Sequence, residues 1–236
     1  RNIFRQKART LMTLAAVITG VVGITLAGGW VQDIYVQLGE ALIHSQSGHL
    51  QVYRQDYFAA GSRSPEKFLM ESPVALKQHI IHNPEVKQVM TRLNFSGLLN
   101  NGKSDLPIIG EGVEPDLETE LGSSVRIIAG HQLSDHDTFG ILLGKGVAQA
   151  LQLKPGDSVT LLINTLDGAL NSLDFQVTGI FQSFSNDFDA RAIRIPLAAA
   201  QELLGTSGVN ALVISLHHTE ATDQVAMQLQ QWLDAN

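Results

Sequence analysis

Apolar and polar positions divide this chain into two unlike parts. From Leu11 to Trp30 no charged residue interrupts LMTLAAVITGVVGITLAGGW. At about 1.5 Å of rise per residue, a helix of that length covers roughly 30 Å, the thickness of a bilayer's hydrocarbon core. Apolar positions continue at helical spacing through Val31, Ile34, Tyr35, Leu38 and Leu42, which predicts one long helix over 11–46 that crosses a membrane and extends beyond it. Trp30 and Tyr35 fall where amphipathic rings mark a membrane interface. A cleaved signal peptide, with Ala27 and Gly29 before the cut, is the competing reading, but signal cores of about 7–15 residues are shorter than this run.

Beyond the span the period changes repeatedly. GHLQVYR, 48–54, alternates as a strand, and 55–73 is polar and punctuated by Gly61, Pro65 and Pro73, which predicts a loop. Ser72 as N-cap and Pro73 at the first helical position open a helix carrying Val74, Leu76, Ile80 and Ile81, and Asn83-Pro84 ends it. Val86–Leu99 and Leu106–Val113 flank Asn100-Asn101-Gly102, a β-hairpin signature. A β-rich stretch follows: strand Ile141–Leu143, helix Lys145–Leu151, the turn Leu153-Lys154-Pro155-Gly156-Asp157, then strands Ser158–Asn164 and Leu173–Phe181 around a turn at Asp167–Asn171. From Ala192 the order is strand, helix (Pro196–Leu204), strand (Asn210–Leu216) and helix (Thr222–Trp232), the last presenting Val225, Leu229 and Trp232 on one face.

This order predicts an α+β fold: one N-terminal transmembrane helix, then a βαβ-rich domain with an inserted β-rich subdomain. The segments are a basic leader, 1–10; the span and its extension, 11–46; a βαβ-rich part from 47–114 and 190–236; and the insertion, 115–189.

Charge orients the span. Arg1, Arg5, Lys7 and Arg9 precede it and no Lys or Arg follows until Arg54, so the positive-inside rule holds the N-terminus in the cytoplasm, with Arg5, Lys7 and Arg9 placing the inner face. The remaining 12 basic residues against all 23 acidic ones leave the outer part at −11. Such a balance excludes a nucleic-acid partner, whose phosphates need basic patches. With no cysteine there is no disulfide and no thiolate chemistry. A start at Arg1 rather than Met, and a stop just after a helix, read as a fragment of a longer protein.

Catalytic chemistry finds no anchor. Gly140 to Gly146, GILLGKG, is one residue short of a phosphate-binding loop and has Gly146 where Ser or Thr would hold magnesium, so it reads as a strand-to-helix turn. His79 and His82 lie three apart on a helix without a third ligand, and Asp135-His136-Asp137 with His131 has the composition of a polar loop. His217-His218 reads as a turn, no nucleophile elbow is present, and no metal site, catalytic residue or cofactor is expected. Within the span, Ala16, Gly20, Gly23 and Ala27 form two small-xxx-small pairs suited to close helix packing. In FQSFSNDFD, 181–189, Phe184 and Phe188 are candidate contacts for a partner or an acyl chain, against the alternative that they fold onto the core.

Several stretches together resemble one family. RNIFRQKARTLMTL entering a Gly/Ala-rich span, the strand GHLQVY, ILLGKGVAQALQLKPGDSVTLL, and TLDGALNSLDFQVTGIFQS followed by ARAIRIPLAAAQELLG are similar to permease subunits of ABC transporters of the MacB, lipoprotein-releasing (LolC/LolE) and FtsX type. The resemblance covers nearly the whole chain and lies nearest the lipoprotein-releasing branch. It implies a non-catalytic permease whose first span and periplasmic domain are present here, in a bacterial inner membrane. It implies a separate ATP-binding subunit, a second permease copy as homo- or heterodimer, and a periplasmic carrier or lipoprotein substrate, with ATP hydrolysis coupled to periplasmic motion. The alternative reading is a single-span sensor or adaptor with a periplasmic domain; a membrane-anchored enzyme is a weaker third class.

Overall fold

A computed structural model of the chain describes residues 7–43, 47–58, 65–71, 73–121, 125–183 and 185–235. It divides into two compact units, 1–42 and 43–236. The first is helix α1, Lys7–Leu42. Its stretch Ala8–Gly39 is long and apolar enough to cross a membrane. Within it Thr13 Oγ1 donates to the carbonyl of Arg9 and Thr25 Oγ1 to that of Val21, each at 2.9 Å, which returns these hydroxyls to the helix backbone. The predicted extension through 44–46 and the Ser72 cap lie outside the described residues.

The second unit is a mixed α/β domain built on one nine-stranded sheet. Its strands are β1 (Leu50–Tyr53), β2 (Val86–Asn100), β3 (Asp105–Val113), β4 (Arg126–Gly130), β5 (Gly140–Gly144), β6 (Ser158–Asn164), β7 (Leu170–Gln182), β8 (Ala192–Pro196) and β9 (Ala211–Leu216). The helices are α2 (Pro73–Ile81), α3 (Pro115–Leu121), α4 (Lys145–Leu151), α5 (Asn186–Asp189), α6 (Leu197–Leu204) and α7 (Thr222–Ala235). One path runs β1-β9-β2-β3-β8-β5-β7-β4, and β6 pairs with both β2 and β7. That last strand closes a ring: β2, β3, β8, β5, β7 and β6 each pair with two others of the set. The ring is a small barrel filled by side chains.

Alternation along the strands decides which side chains fill it. Leu93, Phe95 and Leu99 of β2, Ile108 of β3, Ile141 and Leu143 of β5, Val159, Leu161 and Ile163 of β6, Phe175 and Val177 of β7, and Ile193 and Ile195 of β8 form one buried cluster. Helix α4 adds Val147, Ala148 and Leu151, and α6 adds Ala199, Ala200, Leu203 and Leu204. Beyond the barrel, the outer sheet of β1, β9 and the first half of β2 has a second core, where Val52, Val89, Leu212 and Ile214 meet Ile80 of α2 and Val225 and Leu229 of α7. Each of these helices buries one apolar stripe, which holds it there more strongly than helix propensity would.

The hairpin turn between β2 and β3 follows its Asn-Asn-Gly sequence: Gly102 adopts φ 84°, and Asn100 and Asn101 side chains accept from the backbone of Gly102, Lys103 and Ser104. Three features differ from the pattern reading. Strand β7 begins at Leu170 rather than Leu173, because the Asn164↔Leu170 and Ile163↔Asn171 pairs continue the ladder and the turn closes within Thr165–Ala169. The stretch 55–73 contains a 3-10 turn at Pro65–Lys67 and a bridge from Met70 to Val209. Helices α3 and α5 and strand β4 arise in parts of 115–189 to which the sequence pattern assigns no element.

Candidate functional site

Helix α1 carries the small residues predicted for packing. Ala16, Gly20, Gly23 and Ala27 lie three to four positions apart on one face, and all are exposed within the chain. Among the described residues, a Cβ at Gly20 or Gly23 would meet nothing within 4 Å. Lys7 and Arg9 lie in the first described turn of α1, while Arg5 lies outside the described residues.

Phe188 sits in α5, half-buried, packed against the small cluster of Val113, Leu133, Leu142, Phe181 and Ala192. Its ring centroid is 6.2 Å from that of Phe181, which is fully buried in β7. Phe184 lies outside the described residues. Ser185 caps the helix by accepting from the Phe188 amide. The carboxylate of Asp189, buried at 2% exposure, accepts the single Ser183 N–H on both oxygens, at 3.1 and 3.0 Å. The same short helix explains GILLGKG: a Cβ on Gly144 would strike the Asp189 carbonyl oxygen, and one on Gly146 would lie 2.6 Å from the Ala190 Cα. Both glycines let α5 pass against the β5–α4 turn, and neither addresses a phosphate.

The histidines are dispersed. His79 stacks on Trp232 of α7 at 4.1 Å between centroids, and His82 lies at the exposed end of α2. Asp137 accepts from the Ser134 amide and hydroxyl at 2.9 and 2.7 Å. Burial would raise its pKa, but these bonds outweigh burial and hold it below the ordinary carboxylate value. Among the described residues, no group of three or more His, Cys, Asp or Glu is arranged to hold a metal ion.

Two features went unread in the sequence. The first is an aromatic group at the edge strand: Tyr53 stacks on Tyr57 at 4.3 Å, and Phe58, which is exposed, meets Tyr53 edge-on at 4.9 Å. They border a groove of about 520 Å³ between β1 and α7, also lined by Leu50, Leu229 and Leu233. Burial, with Tyr57 beside it, pushes the Tyr53 phenol up to about 12.

The second is a buried ionic quartet on the outer face of the barrel. Arg92 of β2 donates from Nε and Nη2 to the two carboxylate oxygens of Glu118 on α3, at 2.6 and 3.0 Å. Arg194 of β8 donates from Nε to Glu111 of β3 at 2.9 Å, and its Nη1 lies 3.9 Å from Glu118 Oε2. Both arginines and Glu118 have side chains no more than 4% exposed. Burial opposes the charge on Arg92, and the Glu118 and Glu111 carboxylates overcome it, raising its pKa above the usual guanidinium value. Burial likewise opposes the charge on Glu111, and Arg194 followed by Arg92 holds its pKa below the usual value. Arg92 and Arg194 were legible as anomalies, since each stands inside an apolar strand, VMTRLNF and AIRIP.

Among solved structures, the chain matches the periplasmic region of MacB from Actinobacillus actinomycetemcomitans with a TM-score of 0.55 at 12% identity, covering 77% of this chain and 82% of that one. It matches the extracellular domain of the noncanonic ABC-type transporter YknZ from Gram-positive bacteria with a TM-score of 0.53 at 13% identity, covering 74% and 86%. In sequence it is 28% identical over 135 residues to the lipoprotein-releasing system transmembrane protein LolE of Haemophilus influenzae, covering 55% of this chain and 32% of that protein. The chain thus spans about a third of that curated relative. Residues 10–232 match the model of the MacB-like periplasmic core domain, and the chain belongs to that family.

Proposed function

We propose that this chain is the first span and extracytoplasmic domain of an ABC-transporter permease, which works with a separate ATP-binding subunit and itself hydrolyses nothing. Its N-terminus is cytoplasmic, with Arg5, Lys7 and Arg9 at the inner face, and a second permease copy packs against the Ala16, Gly20, Gly23 and Ala27 stripe. ATP hydrolysis inside is coupled to motion outside, for release of a lipoprotein or export of a hydrophobic substrate. The parts 47–114 and 190–236 form the porter-like body and 115–189 the inserted sabre-like part, with Phe184 and Phe188 as contacts for a carrier or substrate.

The observation that carries this reading is that the family match spans residues 10–232, from the start of the apolar run to the last helix. Span and outer domain therefore belong to one family pattern. The partial match to a lipoprotein-releasing relative supports the lipoprotein branch. Affinity purification of the native full-length protein from detergent-solubilised membranes, followed by mass spectrometry and an ATPase assay of the eluate, tests it. Recovery of a stoichiometric ATP-binding subunit with activity supports the permease; a lone protein without ATPase sinks it and leaves a single-span sensor or adaptor.

A further inference from the structure

Helix α3 is attached to the domain differently from its neighbours. Helix α6 buries Ala199, Ala200, Leu203 and Leu204 in the main core, and α7 buries Val225 and Leu229 in the second. Helix α3 contributes Leu117, packed on Met90 and Val213, to a cluster of two fully buried residues. Pro115 at its start is buried as well, and the hydrogen bonds and ion pairs that tie α3 to the rest of the domain are Glu118 on Arg92, Glu118 near Arg194, Asp116 accepting from the Asp135 amide at 3.3 Å, and the Leu117 carbonyl accepting from Gln88 Nε2 at 2.8 Å. That contact is also incompletely satisfied, because Gln88 Oε1 and Arg194 Nη2 are buried with no hydrogen-bond partner among the described residues.

These features bear on how α3 detaches. Lifting an apolar helix exposes area that water does not compensate, whereas lifting a polar one returns charges and orphaned groups to a solvent that satisfies them. A buried ion pair in place of apolar packing is weak support for stability, and one attested use of it is a switch. The placement suits a switch: α3 follows β3 directly, and its glutamate bridges guanidiniums from β2 and β8, strands on either side of β3. We propose that α3 is a releasable latch on the outer face of the barrel, opening locally while the sheet stays intact, with the Glu118 pairing to Arg92 and Arg194 setting the closed population. Opening uncovers the outer face of β2, β3 and β8. The inference stands independently of the transport reading.

Hydrogen exchange with mass spectrometry on the full chain in detergent micelles tests it. In the unsubstituted protein, amides of Glu118 to Leu121 exchange through an opening that low urea leaves unchanged, while β2 and β7 amides exchange only through urea-sensitive global unfolding. E118Q, which leaves Arg92 facing a neutral amide, speeds α3 exchange at least tenfold, and that exchange remains unaffected by low urea while β2 and β7 exchange stays urea-sensitive. R92M/E118L, which keeps the Arg194–Glu111 pair matched, slows α3 exchange at least tenfold. The proposal is overturned if α3 exchange in E118Q becomes as urea-sensitive as that of β2, or if R92M/E118L leaves α3 exchange as fast as before. Should R92M/E118L fail to fold, the urea dependence of the unsubstituted protein decides: α3 exchange as urea-sensitive as that of β2 rules the latch out.

Discussion

Arg92 and Glu118 meet through two parallel hydrogen bonds, Nε to Oε1 at 2.6 Å and Nη2 to Oε2 at 3.0 Å, with both side chains at most 4% exposed. The fork geometry of guanidinium on carboxylate makes such a contact strong, and burial makes it costly to break from one side. Arg92→Ala leaves Glu118 buried without its main partner and is expected to lower unfolding stability by about 3–5 kcal/mol. Lys77 and Glu114 are 2.8 Å apart with side chains 26% and 28% exposed, so solvent screens that pair. Lys77→Ala is expected to cost no more than about 1 kcal/mol. Urea unfolding of the full chain, followed by near-ultraviolet circular dichroism, compares them; equal losses would contradict the ranking.

A methyl group at the β5–α4 turn tests close approach. Gly144→Ala drives a Cβ into backbone at Asp189 and Ala192, where no side chain can rotate away, and Gly146→Ala meets the Ala190 backbone. Each substitution is expected to destabilise by about 1–3 kcal/mol, the usual cost of overpacking. Gly102→Ala, with open space around it but φ 84°, pays only the strain of its turn and should cost less than Gly144→Ala. Thermal unfolding of the three variants gives the order.

What the sequence disclosed follows from what period can encode. The span, the β2–β3 hairpin, α4 and β6 are read closely because charge-free length, Asn-Asn-Gly and strict alternation are local signals. Ring closure was illegible, since it depends on β6 meeting β2 across a sequence separation no periodicity records. Helix α3 is not assigned from the pattern although Pro115 at its start and Asp116 and Glu118 in its first turn are helix signals, because seven residues carry too short a period and Glu118 gains its partners only when Arg92 and Arg194 arrive from distant strands. The aromatic cluster was overlooked for the same reason: Tyr53, Tyr57 and Phe58 are neighbours in sequence, but only the fold brings Phe68 to Tyr57 and places Leu229 and Leu233 across the groove.

Alkaline pH addresses the edge strand. The Tyr53 phenol, pushed up to about 12 by burial, stays neutral in the folded protein where a free tyrosine of pKa about 10 ionises. Between these values the folded state holds the proton that the unfolded state releases, so Tyr53 contributes stability that is complete below pH ~10 and is lost as pH rises toward ~12. Absorbance at about 295 nm is expected to show one late-titrating phenol. Tyr53→Phe should remove that phase and flatten the fall of stability over the same window. If the late phase persists in Tyr53→Phe, the assignment is wrong.

Helix α1 separates assembly from folding. Among the described residues a Cβ at Gly20 or Gly23 meets nothing within 4 Å, and the domain of 43–236 has its own barrel core and its own second core, neither of which includes a residue of α1. Gly20→Leu with Gly23→Leu replaces two close-approach positions by side chains that hold a neighbouring helix away, where small residues otherwise let backbones pack. The double variant is expected to insert normally and to keep the thermal midpoint of the outer domain within about 1 °C, because a change remote from a domain's core leaves its stability nearly untouched. Its recovery in complex with partner subunits, measured by affinity purification at equal expression, should drop at least tenfold. Normal recovery would show that the stripe faces lipid and that assembly depends on another surface.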